Sequence, residues 1–431
     1  MKTVGVISLG CAKNQVDTER MLGLLAKAGF SIVADPEQAD VLIVNTCGFI
    51  EPAKQESIDA ILEMAQYKKA GTCKKLVVSG CLSQRYREEL RAELPEVDLF
   101  LGVREYEKLP GLLKSAAPDA PAVGCGTPRI LTTPFYSAYL RVGDGCNNRC
   151  TYCAIPLIRG PLVSESMEAL TEEAKRLADG GVTELTVIAQ DTSGYGADRY
   201  GKPRLLPLLK ELEKIDALHW IRVLYTYPDT VTPELIDCFG SSDKIVHYLD
   251  MPLQHIADSV LKRMHRRGTG QEIRSLLDYI RLHAPDFLLR TTMMVGFPGE
   301  TEADFQELMQ FLRDYPFDRL GAFAFSPEEG TEAASMPDQL TDAVKQARLD
   351  ALMTQQQTIS RSRAQQRIGQ QTELLIEGID ERGVFGRTYG EAPDVDGSVL
   401  LPVLDYPPEI GQYAPVRLTG ATDYDMMGEW L

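Results

Sequence analysis

The residues best equipped for chemistry are three cysteines in the string GDGCNNRCTYC: Cys146, Cys150 and Cys153. The spacing C-x3-C-x2-C lets three thiolates close on one face of a small metal cluster. Soft sulfur ligands suit iron–sulfur clusters and zinc. A closed structural zinc site takes four ligands, and no fourth Cys or His follows nearby. Three ligands on a four-iron cluster would leave one iron open to a substrate or cofactor, so the loop reads as a reaction centre. Gly143 and Gly145 allow the chain to turn tightly around a metal. Tyr152 lies between the second and third cysteines, where its ring could cover a cluster or a cofactor, or simply pack.

Three more cysteines form a second pattern. Cys11 (SLGC), Cys47 (VNTCG) and Cys81 (VSGC) each follow a short apolar run, at intervals of 36 and 34 residues. That interval is one strand–helix unit. Ligands of open α/β sheets bind at the carboxyl ends of strands, so these cysteines are expected to converge in one crevice. One small buried Cys at a strand end would be ordinary core; three at equivalent positions point to a second triad. Cys73, Cys125 and Cys238 lie elsewhere and are read as structural.

The elements needed to position these residues are legible. VGVISL (4–9), DVLIVN (40–45) and KLVVSG (75–80) read as buried parallel strands, each followed by a helical pattern. This predicts a doubly wound α/β domain over residues 1–125. GTPRILTTP (126–134) reads as a linker. Six further strand–helix repeats begin at residues 138, 184, 220, 245, 288 and 320. They predict an open, partial (β/α)6 barrel over 132–363, whose chemistry belongs at the carboxyl face. The Cys146–Cys153 loop follows the first of these strands. A polar helix is predicted over 336–366, and short β runs broken by Gly and Pro predict an all-β barrel over 364–431, about 65 residues and within the usual range of a minor domain.

Other polar positions are less specific. Gln190 and Asp191 end the second barrel strand; Gln254 and His255 follow the fourth. In MMVGFPGET, Gly296 and Phe297 follow a strand and Thr301 with Asp304 forms a capping box. Each suits a cofactor wall or an ordinary βα turn. The five histidines lack metal-ligand spacing. No phosphate-binding P-loop or serine elbow is present.

The net charge of −17 disfavours generic nucleic-acid binding and suits basic partners. Nine cysteines in 431 residues are too sparse for a disulfide scaffold. Without an apolar run of membrane-spanning length or a secretory leader, a cytoplasmic, non-membrane protein is expected.

Taken together these motifs resemble the radical S-adenosylmethionine methylthiotransferase family. The resemblance covers essentially the whole chain: SLGCAKNQVDTE, NTCGFIEPAK, GCNNRCTYCAIPLIRG, DMPLQHIADSVLKRM, MVGFPGETEADF and FSPEEGTEAASMPDQL, with GRTYGEAPDVDG similar to the TRAM module. NTCGFIEPAK and CAIPLIRGP are closer to the RimO-type branch, which modifies an aspartate of ribosomal protein uS12, than to the branch that modifies adenosine 37 of transfer RNA. GPLVSES departs from the family, standing where a more basic stretch is often found. The resemblance implies two 4Fe–4S clusters, one on Cys146, Cys150 and Cys153 and an auxiliary one on Cys11, Cys47 and Cys81. It also implies S-adenosylmethionine, placed here near Tyr152, Gln190, Gly296 and Phe297, an electron donor such as flavodoxin or ferredoxin, and methylthio transfer to an aspartate β-carbon through a 5′-deoxyadenosyl radical. A transfer RNA methylthiotransferase and a non-catalytic iron–sulfur electron-transfer protein are the alternatives.

TRAM modules are usually RNA-binding, and charge tests that here. Residues 364–431 hold twelve Asp/Glu against four Arg and no Lys, a net of −8. A module that grips phosphates needs the opposite balance. Direct RNA binding by the tail is therefore not expected, and a basic protein substrate is.

Overall fold

The computed structural model describes residues 2–114, 128–404, 406 and 408–431. Cys125 lies outside them. The N-terminal sheet comprises β1 (Thr3–Ser8), β2 (Ser31–Ile32), β3 (Val41–Thr46), β4 (Lys75–Gly80) and β5 (Leu99–Phe100), all parallel, in the order β2-β1-β3-β4-β5. β3 is buried at every position because both of its faces are covered. Leu42, Val44, Leu76 and Val78 face α2 (Glu51–Lys69) and α3 (Cys81–Glu93), while Val41, Ile43 and Val77 face α1 (Ala12–Lys27). The domain is thus doubly wound. The register sets Ser8 beside Asn45 and Asn45 beside Ser79, so the carboxyl ends of β1, β3 and β4 share one edge.

The second region begins with β6 (Ser137–Arg141), then a small hairpin of β7 (Gly143–Asp144) and β8 (Val163–Ser164). β9 (Glu184–Ile188), β10 (Trp220–Val223), β11 (Tyr248–Asp250), β12 (Leu288–Val295) and β13 (Arg319–Ala324) complete it. Two three-stranded parallel sheets, β6-β9-β10 and β11-β12-β13, are joined by a parallel bridge from Ile221 to Ile245. The result is the expected open, six-stranded partial barrel. Alternation along the strands divides its faces. Ala138, Leu140 and Val142 face the outer helices, whereas Tyr139, Ile188, Trp220 and Tyr248 face inward. There they meet Val16 of α1 and Leu375 and Ala392 of the C-terminal module, so the lumen is filled by the neighbouring domains.

A helix (Asp342–Gln366) leads to β14 (Gln371–Asp380), β15 (Gly383–Arg387), β16 (Val399–Leu401), β17 (Tyr413–Ala421) and β18 (Met426–Trp430), a closed barrel in the order β14-β15-β16-β18-β17. The helix starts later than the predicted residue 336. Pro337 and the left-handed Asp338 (φ 62°) interrupt it, and the Thr341 side chain caps it by accepting from the Val344 N–H.

Residues 128–134 do not behave as a free linker. Arg129 is buried between Glu19 and Glu173, at 2.5 and 2.6 Å, and the Thr132 N–H donates to Glu19 at 3.0 Å. Gly23 makes the crossing possible, since a Cβ there would meet the Pro128 carbonyl at 2.0 Å. No helix among the described residues is long and apolar enough to cross a membrane.

Candidate active site

Cys47 follows the last residue of β3, Cys81 opens α3, and Cys11 is the N-cap of α1. Because β1, β3 and β4 are neighbours, the three thiols meet at one sheet edge. Gly10 allows this approach: a Cβ on it would lie 3.1 Å from Cys47 Sγ. The second triad sits in the loop closed at its base by β7 and β8. Gly145 adopts φ 77°, and a Cβ there would strike the Pro161 carbonyl at 2.1 Å, so only glycine permits the turn. Gly143, by contrast, is an ordinary strand residue of the hairpin. Thr151 ties the loop to the barrel by donating to the carbonyls of Met264 (3.1 Å) and Arg263 (2.9 Å). The two triads are adjacent: Cys81 packs in one apolar cluster with Ala154 and Ile158, just past Cys153.

The donor sets are soft thiolates, which suit iron–sulfur clusters. Among the described residues no three His, Cys, Asp or Glu side chains are close enough to ligate one metal ion. Each triad is all cysteine. Burial pushes Cys81 and Cys153 up to about 12 and Cys146 up to about 11. Metal binding must therefore displace protons from these sites. Cys11 differs. Burial raises it, but Lys13, Arg159 and the backbone N–H groups of Asn14 and Lys13 outweigh that and hold its thiol below the ordinary range.

Cys11 opens into a cavity of about 540 Å³ that all three domains line: Gly10 and Cys11 from the first, Tyr139 and Tyr225 from the barrel, Pro393 and Asp394 from the C-terminal module. A neighbouring cavity of about 220 Å³ shares Gln15, Thr132, Tyr139 and Asp394 and reaches Glu377 and Asp396. Asp394 and Asp396 accept hydrogen bonds at 2.6 Å from the hydroxyls of Tyr139 and Tyr248, which seats the module in the barrel mouth.

Of the residues expected near a cofactor, Gln190 donates to Asp144 at 3.3 Å, and its buried Oε1 has no partner. Tyr152 meets Phe297 edge-on at 6.4 Å, and Phe297 meets Phe325 likewise at 5.3 Å. Gly296 (φ 73°) packs against Lys345, and the N–H groups of Gly296 and Phe297 donate to Glu300 Oε2 at 2.7 and 3.2 Å. His255 is a buried core histidine whose Nδ1 accepts from the Ala257 N–H at 3.1 Å. Cys73 is buried with its thiol on the Lys75 carbonyl at 3.0 Å, and Cys238 sits half-buried on the helix Pro233–Gly240.

Sequence reasoning missed a charged web joining the triads. Asp17 accepts from Arg141 (2.5 Å) and Arg159 (2.9 Å), and Arg159 also reaches Asp144 at 3.0 Å. The signal available was the charged run KNQVDTER inside a helix whose other positions are core.

Comparison with known proteins follows this division of the chain. The model of the uncharacterised protein family UPF0004 matches residues 3–102, that of the radical SAM superfamily residues 140–312, and that of the TRAM domain residues 368–431. The chain is 47% identical over 441 residues to the ribosomal protein uS12 methylthiotransferase RimO of Clostridioides difficile, covering 100% of this chain and 99% of that one. It is 46% identical to the RimO of Acetivibrio thermocellus, covering 99% and 98%. The chain belongs to the RimO-type radical S-adenosylmethionine methylthiotransferases. It is accordingly a transferase of sulfur-containing groups. The fold is shared more widely. The radical S-adenosylmethionine methyltransferase TsrM of Kitasatospora setae superimposes with TM-score 0.56 at 13% identity, over 75% of this chain and 73% of that one. The radical enzyme OxsB does so with TM-score 0.53 at 13% identity, over 83% and 56%.

Among the described residues, each arginine from Arg367 to the end of the barrel lies beside a carboxylate. Arg367 pairs with Glu391, Arg382 with Asp380, Arg387 with Glu184 and Glu377, and Arg417 with Glu429.

Proposed function

We propose that this methylthiotransferase attaches a methylthio group to the β-carbon of an aspartate in ribosomal protein uS12, the protein named for its relatives. Its cofactors are two 4Fe–4S clusters and S-adenosylmethionine. Cys146, Cys150 and Cys153 would hold one cluster, and Cys11, Cys47 and Cys81 the other. When bound, the first would supply reducing electrons to S-adenosylmethionine, and the second would supply the sulfur to be transferred.

The protein's own residues position the reactants and keep out water. Gln190 offers a buried amide oxygen with no internal partner, suited to a donor group of S-adenosylmethionine. Tyr152 and Phe297 form an aromatic wall beside the cysteine loop, and Gly296 makes the tight turn at its edge. The packing of Cys81 with Ala154, the residue after Cys153, sets the two triads near each other, as transfer between them would require.

The observation that carries the reading to a protein substrate is the pairing of every TRAM arginine with a carboxylate. Four arginines, each beside a carboxylate, are outnumbered by twelve Asp/Glu in residues 364–431, a balance that disfavours phosphates and suits a basic ribosomal protein. Mass spectrometry of uS12 from cells with and without this gene tests the reading. A methylthio-aspartate that disappears with the gene is expected. Unmodified uS12 together with a lost methylthio-adenosine in transfer RNA would overturn it.

A further inference from the structure

The cavity that opens on Cys11 is walled in part by Tyr225, whose ring carries the ammonium of Lys13. Lys13, on the first turn of α1, is 7% exposed, yet its Nζ makes no hydrogen bond or ion pair with any described residue. Every other buried Lys or Arg among those residues has an oxygen partner. Arg141 and Arg159 hold Asp17, Arg222 and Arg387 hold Glu184, Arg348 holds Glu300, Arg367 holds Glu391, and even Arg266 has the Pro252 carbonyl. A buried ammonium without a hydrogen-bonded oxygen is costly; Cys11 and Asp250 favour its charge from nearby but do not bond to it, and such a group persists where a ligand completes it.

Its surroundings keep it available. Nζ lies 3.0 Å from the centroid of the Tyr225 ring, a contact that holds a cation without neutralising it. Tyr225 is itself strained, at φ 64°, a conformation unfavourable for a bulky residue. Its N–H donates to Asp250 Oδ2 at 2.8 Å and its carbonyl accepts from Thr192 at 2.9 Å, which fixes the ring under Lys13. The nearby carboxylates are engaged elsewhere: Asp250 with Arg290 at 2.8 Å and Asp394 with the Tyr139 hydroxyl at 2.6 Å. Tyr225 and Cys11 line the same 540 Å³ cavity.

We propose that Lys13 receives the side-chain carboxylate of the acceptor residue and so selects an acidic side chain as substrate. The inference rests on the aspartate reading of the preceding section and extends it to a named residue. An ammonium with three donors matches a carboxylate. The base of an adenosine bears no anion and would leave the charge unanswered. Lys13 is two residues from Cys11 and its charge acts on that thiol, so a carboxylate held by Lys13 would bring the adjoining side-chain carbon toward the triad that is to deliver sulfur.

The test uses the anaerobically reconstituted holoenzyme, as wild type, K13M and K13R, with purified uS12 carrying either the acceptor Asp or an Asn in its place. Affinity is measured alongside iron content and the electron paramagnetic resonance of the clusters. Wild-type enzyme is expected to bind the Asp form about ten- to a hundredfold more tightly than the Asn form, the usual scale for a charged hydrogen bond. K13M should bind both forms alike, with iron and spectra unchanged, and K13R should restore part of the preference. Equal binding of both forms by the wild type overturns the proposal without any enzyme variant. So does a K13M enzyme that keeps the preference, or one whose only change is in iron or spectrum. If wild-type enzyme modifies uS12 but K13M keeps the preference, Lys13 alone loses its role. If wild-type enzyme neither binds nor modifies uS12, the uS12 reading falls too.

Discussion

The guanidinium of Arg159 lies 3.7 Å from Sγ of Cys81, so the helix that follows the cysteine loop reaches into the opposite triad. The same side chain pairs with Asp17 at 2.9 Å and Asp144 at 3.0 Å. Burial would raise Asp144, but Arg159 and Arg141 outweigh it and hold the carboxyl at about 2. Arg159→Leu would leave two buried carboxylates short of a partner and should destabilise the protein by about 3–5 kcal/mol. Arg159→Lys should recover only part, because an ammonium cannot span two carboxylates and a thiol as a fork does. Thermal unfolding of the two variants beside the wild type measures this.

Iron content separates the two triads. Replacing Cys146, Cys150 and Cys153 together by Ala should remove about half of the iron and acid-labile sulfide, and so should replacing Cys11, Cys47 and Cys81, if each set holds one four-iron cluster. Cys238→Ala, on a peripheral helix, should remove none. Colorimetric iron and sulfide assays after anaerobic reconstitution decide it. Loss of all the iron from one triple substitution would mean a single shared centre.

His255 makes the fold sensitive to mild acid. Burial depresses its folded pKa from 6.5 to about 4. Between those values the unfolded chain takes up a proton that the folded chain refuses, so stability falls as pH drops through the window and levels off below about 4. The limit for this one group is about 3 kcal/mol. Glu300, 3.8 Å away and raised by burial, acts with the opposite sign, so the comparison must be made within one background. His255→Asn, which keeps an acceptor for the Ala257 N–H, should flatten the loss between pH 6.5 and pH 5 in chemical denaturation.

What could be read from sequence follows from how local each signal is. KLVVSG matched Lys75–Gly80 residue for residue because a buried parallel strand is a continuous apolar run between turn residues. β2 and β5, two residues each at the sheet edges, are too short for any periodicity. The hairpin of β7 and β8 was invisible because its halves bracket the cysteine loop and neither is apolar. The cysteines were legible because their type restricts their chemistry. Lys13 and Asp17 were not: whether a helical charge faces water or a buried partner depends on Arg141 and Arg159, more than a hundred residues away. For the same reason Arg129 looked like part of a loose linker until Glu19 and Glu173 were beside it.

The seat of the C-terminal barrel rests on Arg387 and Glu184. Their two contacts are 2.9 and 2.6 Å, and Arg222 adds a third at 3.3 Å. Burial opposes ionisation of Glu184, yet Arg387 and Arg222 hold it at about 2. Arg387→Ala should cost about 3 kcal/mol or more, by leaving a buried carboxylate half-compensated. Limited proteolysis should then cut faster between Gln366 and Gln371, where the long helix passes into the barrel.

Surface charge on that barrel should control how fast substrate arrives rather than how well it is held. Glu381 and Glu409 are exposed and bear on neither triad nor cavity. Long-range attraction between a module of net −8 and a basic protein raises the association rate, and salt screens it over a Debye length of about 8 Å at physiological ionic strength. Reversing both charges, in the double variant E381K/E409K, should lower the association rate for uS12 several-fold at low salt and weaken its salt dependence. The dissociation rate should barely change, since rim charges contribute little once partners are docked. Stopped-flow binding of uS12 across a salt series measures both rates. A markedly faster dissociation rate in that variant would mean that these carboxylates hold the docked substrate, and an unchanged association rate would place the basic partner's approach elsewhere on the molecule.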